Sequence, residues 1–327
     1  MPKALRFHAL GGPEVLSFDE VPVRKPTKGE VLIAVEAVGL NRAESMYYHG
    51  EYFEQPSLPS GIGYEAVGRV IEVGPDGDPS MIGTRVGTIP GYSMNRYPVL
   101  AEEAVVPIDV LALVPESYSV EDGAAVWMQY ATAYGALVPF GQVGPGDAVL
   151  ITAASSSVGL AAIQIVRAQG GISIATTRTS AKKVELLALG ADHVIVTEEE
   201  DLVARVHEVT DGQGVRVAFD AVGGEMMNAV GAATATGGVI FFFGMLGGGT
   251  TPFPLTTFGR RIAVYGYTFL ELKGTAGWNE MKSYIFERLS DGTFQPKIAR
   301  VFPFDEAVEA YRFLESNQQI GKVVVRL

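Results

Sequence analysis

From residue 148 onward, six short apolar runs recur with helical segments between them, and this rhythm constrains the fold more than any other feature of the chain. The runs are Ala148 to Thr152, Ile172 to Thr176, His193 to Val196, Val215 to Asp220, Gly238 to Phe243 and Ile262 to Tyr267. Between them, Val158 to Gln169 and Ala181 to Leu189 repeat apolar residues at helical spacing. A strand, a covering helix and a further strand form a right-handed crossover unit, and a series of such units builds a parallel sheet with helices on both faces. From Pro2 to about Asp122, by contrast, apolar residues alternate or cluster between Gly-Gly and Pro75-Asp76-Gly77 turn signals, so this third reads as mostly β. The change comes where Gly123-Ala124-Ala125-Val126-Trp127-Met128 opens a small-residue helical stretch.

Six strands match a Rossmann doubly wound parallel sheet, and the expected fold class is α/β: that sheet plus a β-rich domain. The expected division is 1–122, 123–270 and a return to the first domain at 271–327. The returning segment includes helices near Met281 to Leu289 and Asp305 to Glu315 and the strand Lys322 to Leu327. A chain of 327 residues has room for two such cores.

The turn after the first of the six strands is built for close backbone approach. In Thr152-Ala153-Ala154-Ser155-Ser156-Ser157-Val158-Gly159 the three positions of a GxGxxG turn are Ala154, Ser156 and Gly159. Two glycines are missing, but serine is small and can donate to a phosphate, and Gly159 lets helix and sheet pack closely. Ser156, Ser157, Val158 and Gly159 are therefore candidate pyrophosphate contacts. The same residues also resemble a degenerate nucleophile elbow with Ser157 as nucleophile. That chemistry needs a later acid and then a histidine, and only His193 and His207 follow.

About 20 residues beyond the turn, an NAD site places an acid on the adenosine ribose. The window Ser173 to Lys183 contains no acid; it has Thr177, Arg178, Lys182 and Lys183, with further hydroxyls at Thr176, Thr179 and Ser180. Donors and cations together suit a 2′-phosphate, so NADP(H) is the expected cofactor, with Thr177, Arg178 and Lys182 as contacts. This is a local basic patch in a chain whose net charge is -12, a balance that repels nucleic acid and anionic lipid. With no cysteine and only four histidines, at spacings that match no metal motif, no metal site is expected. Met1 to Arg6 has no apolar stretch and the densest apolar run, Val239 to Leu246, is too short to span a bilayer, so a cytoplasmic protein without membrane contact is expected.

Several motifs together resemble the medium-chain dehydrogenase/reductase superfamily, specifically its zinc-independent, ζ-crystallin-like quinone oxidoreductase branch. They are Val38-Gly39-Leu40-Asn41, Ser57 to Gly68 with Val73-Gly74, Thr132-Ala133-Tyr134, Leu189 to Ile195, Phe219 to Gly224 and Gly321 to Val325. The resemblance implies a GroES-like β-rich catalytic domain formed by both chain ends, an inserted Rossmann domain and an active site in the cleft between them. Positions that hold catalytic zinc in the alcohol dehydrogenases of this superfamily look like Asn41, Tyr64 and Met128 here. Without a Lewis acid, an already polarised acceptor becomes the expected substrate: a quinone or an α,β-unsaturated carbonyl, reduced by hydride from NADPH.

The resemblance also implies roles. Asn41 would hold the nicotinamide ribose or orient a substrate carbonyl, although an Asn after a strand is usually a turn former. Tyr52 and Tyr64 are candidate catalytic phenols. A tyrosine usual five residues after the Asn is here Met46, which leaves Tyr47 as a possible substitute. Tyr130 and Thr132 resemble nicotinamide-side contacts, against a reading of Tyr130 as core. Phe243, Gly244 and Met245 match the loop beside the nicotinamide, and Asn317 a further cofactor contact. The strand around Ile262 to Tyr267 is an apolar edge that invites a homodimer. A different reading, a non-catalytic, crystallin-like NADPH-binding protein, is separated from the enzyme by turnover.

Overall fold

The computed structural model describes residues 1–327 other than Asp76 and Glu116, so part of the Pro75-Asp76-Gly77 turn signal lies outside the described residues. These residues form two units. One comprises Met1–Met128, Phe286–Ser290 and Pro296–Leu327, the other Gln129–Ile285 and Asp291–Gln295.

In the second unit the six apolar runs form one parallel sheet. Its order is His193–Val196, Ile172–Thr177, Ala148–Ile151, Val215–Asp220, Thr234–Phe242, Ala263–Gly266. Numbered along the chain this is 3-2-1-4-5-6, the Rossmann order, in which the chain reverses direction of travel at the first strand. The inner strands are buried because helices cover them. Leu202, Val206, Met227, Val230 and Ala233 from helices Leu202–Val209 and Met226–Ala233 pack on Leu150, Ile174, Ile195, Ala218 and Ile240. Helix Ser157–Ala168 runs against the strands Ala148–Ile151 and Ile172–Thr177. At the carboxyl ends of the strands, buried Asp220 accepts hydrogen bonds from the Thr152 hydroxyl at 2.6 Å and the Gly223 N–H at 2.8 Å. These bonds pin the turns that a ligand of such a sheet approaches.

The first unit is β-rich. Its seven-stranded sheet is centred on the long strand Glu30–Leu40, whose first half lies between Glu103–Pro107 and Ala66–Val73. The second half pairs with the last strand, Lys322–Arg326, so residues from both chain ends share one sheet. A smaller sheet joins Leu16–Glu20, Lys3–Phe7 and Ser60–Gly61.

Three details depart from the sequence-based expectation. The strand before Asn41 runs to Leu40, and a helix the alternation did not predict, Arg42–His49, starts directly after Asn41. The boundary between the units falls after Met128 rather than Asp122, because Val114, Ala124 and Ala125 share a core with Ala37, Val67 and Val324 of the first unit. Residues 271–285, expected to return to the first domain, pack instead with the second unit. Trp278 stacks on Phe269 at 6.2 Å, and the Tyr284 hydroxyl accepts from Gln169 Nε2 at 2.8 Å.

Candidate functional site

In the second unit, the strand Ala148–Ile151 runs into a turn that ends as helix Ser157–Ala168. Ser156 is the helix N-cap, and its hydroxyl accepts from the Gly159 N–H at 3.1 Å. This leaves the N–H groups of Ser157 and Val158 at the open, electropositive helix end. Gly159 is required by space: a Cβ there would sit 2.6 Å from Ala154 Cα and 2.7 Å from its carbonyl oxygen. The elbow reading of Ser157 gains no base: His207 Nδ1 is engaged by the Gly212 carbonyl at 3.2 Å, and His193 is exposed at the start of its strand.

The adjoining strand ends at buried Thr177, followed by exposed Arg178. Lys182 reaches back to the turn before helix Ser157–Ala168 and donates to the Ser155 hydroxyl at 3.2 Å. Partial burial and then the neighbouring Arg178 charge lower its pKa. Two cations held close enough to repel each other are stabilised by an anion placed between them. Lys183, by contrast, is paired with Glu200 at 3.2 Å.

The loop of Phe243, Gly244 and Met245 follows the strand Thr234–Phe242. Phe243 stacks on Phe219 at 4.1 Å, and Met245 is exposed. Thr132 is buried and its carbonyl accepts from the Tyr267 hydroxyl at 2.9 Å. Tyr130 is not placed for a cofactor contact. It is fully buried, stacked on Phe294 at 4.8 Å, with its hydroxyl donating to Gln164 Oε1 at 3.0 Å, and so is core.

In the first unit, Asn41 is buried and both ends of its amide are engaged: Nδ2 donates to the Gly39 carbonyl at 2.9 Å and Oδ1 accepts from Lys322 Nζ at 2.5 Å. It starts helix Arg42–His49, where Glu44 accepts from its N–H. These bonds give Asn41 a structural role, while its Oδ1 keeps a second lone pair and its Nδ2 a second N–H for the ribose or substrate contact expected of it. Asn317 lies in a left-handed backbone conformation after helix Ala307–Glu315, and its Oδ1 accepts from Arg42 at 2.6 Å.

Tyr52 and Tyr64 do come together. The Met46 carbonyl accepts the Tyr52 N–H at 3.1 Å, turning the chain back after the helix. Tyr64 follows Gly63, whose φ of 105 and close approach to Leu100 exclude a side chain. The Tyr64 N–H donates to Glu44 Oε1 at 3.0 Å and its carbonyl accepts from the Tyr92 hydroxyl at 2.6 Å. The two rings meet edge-on at 6.4 Å, and each hydroxyl influences the ionisation of the other. Burial pushes Tyr64 up to about 12 while the neighbouring Tyr52 hydroxyl opposes the rise; Tyr52 is raised further, by burial and by Tyr64. Tyr64 is thus the stronger acid of the pair. Tyr47 does not join them: it is buried against Phe7, with its hydroxyl 2.8 Å from Ser60 Oγ.

Beneath these residues lies a buried polar cluster that the sequence reasoning missed. Lys322 Nζ donates to Glu65 Oε2 at 2.6 Å, and neither side chain has any exposure. Glu65 Oε1 accepts from the N–H groups of Val126, Trp127 and Met128. Burial pushes Glu44 up to about 8, opposed by the Lys322 charge. Among the described residues, no group of three or more His, Cys, Asp or Glu could hold a metal ion, and no helix is long and apolar enough to cross a membrane.

Residues 27–128 match the alcohol dehydrogenase GroES-like domain family and residues 157–287 the zinc-binding dehydrogenase family. Quinone oxidoreductase 1 of Escherichia coli K12 is 30% identical over 98% of each chain. Among solved structures, a quinone oxidoreductase of Pseudomonas syringae pv. tomato DC3000 is 28% identical with a TM-score of 0.93, covering 100% of both chains. The Escherichia coli quinone oxidoreductase complexed with NADPH is 29% identical with a TM-score of 0.92, covering 99% of this chain and 100% of its own.

Proposed function

The chain belongs to the zinc-independent quinone oxidoreductase branch of the medium-chain dehydrogenase/reductase superfamily, and from that premise we propose that it uses NADPH to reduce a quinone or an α,β-unsaturated carbonyl. The observation that carries this reading is the basic pair at the phosphate turn: Lys182 bonded to Ser155, with Arg178 close enough to depress its pKa. The residues fit the cofactor. Ser157 and Val158 offer main-chain N–H groups to a pyrophosphate, Gly159 lets the helix start pack against the main chain of Ala154, and Arg178, Lys182 and Thr177 suit a 2′-phosphate. Phe243, Gly244 and Met245 would flank the nicotinamide.

Bound there, NADPH supplies a hydride from its nicotinamide C4. The chain's own contribution is the proton. Tyr64, the stronger acid of the phenol pair, donates to the acceptor oxygen as negative charge develops on it. Tyr52 then donates to the Tyr64 oxygen and steadies the phenolate left behind, until water returns the proton. With Tyr64 at about 12, this proton is in place throughout the neutral range. The outermost strand Ala263–Gly266, with Tyr265 55% exposed, supports pairing of two copies as a homodimer.

The test is steady-state NADPH oxidation with a panel of quinones and α,β-unsaturated ketones. Turnover is expected with at least one class, and Tyr64→Phe should lower kcat by about 10²-fold. Tight NADPH binding with no turnover on any acceptor would overturn the catalytic reading in favour of a carrier or crystallin-like role.

A further inference from the structure

One carboxyl joins Asn41 to Tyr64. Glu44, in the first turn of helix Arg42–His49, is fully buried; one of its oxygens accepts from the Tyr64 N–H at 3.0 Å and the other from the Asn41 N–H. The connection closes on the far side, because Lys322 donates both to Asn41 Oδ1 and to Glu65, the residue after Tyr64. Glu44, Asn41, Lys322, Glu65 and Tyr64 therefore form a ring of hydrogen bonds and main chain around the start of the helix.

We propose that Glu44 is a positioning residue for the reduction, clamping the main chain of Tyr64 to that of Asn41 so that the Tyr64 hydroxyl is held where it delivers its proton. This rests on the reading of Tyr64 as proton donor. The arrangement is specific to a carboxyl: only a group with two acceptor oxygens satisfies both N–H groups at once. Charge makes the clamp sensitive to protonation. The ring contains two carboxyls and one ammonium, all without exposure, so full ionisation would leave one buried negative charge unpaired. Burial resolves this by keeping a proton on Glu44, whose pKa lies at about 8.

The groups that face Glu44 are Lys322 and Glu65, the phenols of Tyr52, Tyr64 and Tyr92, and Tyr311 on helix Ala307–Glu315. Lys322 favours its ionisation, as do the N–H groups of Asn41 and Tyr64 that it accepts from. Negative charge on Glu44 raises the pKa of every one of the four phenols, so loss of its proton makes Tyr64 a weaker donor.

The experiment compares wild type, Glu44→Gln, Tyr64→Phe and the double variant. It reads kcat, KM and NADPH affinity from about pH 6 to about pH 10, and follows the Tyr64 amide by NMR in protein labelled with ¹⁵N-tyrosine, assigned as the signal absent from Tyr64→Phe. We expect wild-type kcat to fall on the alkaline side with a midpoint near 8, and the Tyr64 amide to titrate with the same midpoint. Glu44→Gln should lose both transitions and lower kcat about tenfold at neutral pH with NADPH affinity unchanged. On the Tyr64→Phe background it should cost less than about twofold, because it acts through Tyr64. A Tyr64 amide with no titration in this range, a Glu44→Gln variant with unchanged kcat, or a loss that adds in full to that of Tyr64→Phe would overturn the proposal. If no acceptor turns over, the proposed reduction fails while the NMR measurement still decides whether Glu44 grips Tyr64.

Discussion

Replacing Lys322 by methionine is the most direct way to ask whether the buried cluster is held by charge. The ammonium makes two hydrogen bonds, to Glu65 Oε2 at 2.6 Å and to Asn41 Oδ1 at 2.5 Å. Lys322 and Glu65 side chains both have zero exposure. Methionine fills most of the stem's volume, so the loss is electrostatic. It strands one carboxylate oxygen and one amide oxygen away from water, and breaking a buried pair in this way costs about 3–5 kcal/mol. Glu65→Gln in the same chain removes the stranded charge, while its remaining oxygen still accepts the N–H groups of Val126, Trp127 and Met128. The double variant should therefore recover about half or more of the loss. Urea unfolding followed by the fluorescence of Trp127, whose N–H bonds Glu65, reads this unit when Trp278 is replaced by phenylalanine. A single variant within about 1 kcal/mol of its parent would refute the view that a desolvated ion pair organises this cluster.

Other consequences are equally specific. Glu44 ionises at an ordinary 4.5 when unfolded and at about 8 when folded, so its contribution to stability is full below about pH 4.5 and disappears as pH rises to about 8. The gap corresponds to roughly 5 kcal/mol, and the Glu44→Gln variant should lack that decline when stability is measured by denaturation across the range. Gly159→Ala drives a methyl into the main chain of Ala154; a loss of about 1–3 kcal/mol is expected, with weaker NADPH binding by titration as the helix end withdraws.

The second unit was legible because its signal is local. Each strand is a short apolar run and the first helices show their own period, so six strands of a parallel, doubly wound sheet could be read along the chain, and the structure supplies their order. The strand, turn and helix start around Ser156, and the basic window after them, were readable for the same reason. The clamp was not, since Glu65 and Lys322 lie 257 residues apart and nothing in either neighbourhood names the partner. Signals for it existed: Asn41-x-x-Glu44 has the spacing of a capping box, and Glu65 and Lys322 interrupt otherwise apolar runs, where a charge must find a partner. Alternation in the first third masked the helix Arg42–His49, and with it the direction of Tyr47. Adjacent helical residues point about 100° apart, so a tyrosine at 47 cannot stand in for one at 46. Tyr130 shows the converse limit: a motif match gave it a cofactor role, but stacking on Phe294 decides its environment.

If Lys182 and Arg178 select NADPH over NADH, equilibrium titration of both nicotinamide cofactors shows it. A charge-assisted bond to the 2′-phosphate is worth about 1.5–3 kcal/mol, so NADPH should bind roughly tenfold or more tighter than NADH. Lys182→Ala should remove most of that difference while leaving NADH affinity unchanged. Equal affinity of the unaltered protein for the two cofactors would contradict the claim.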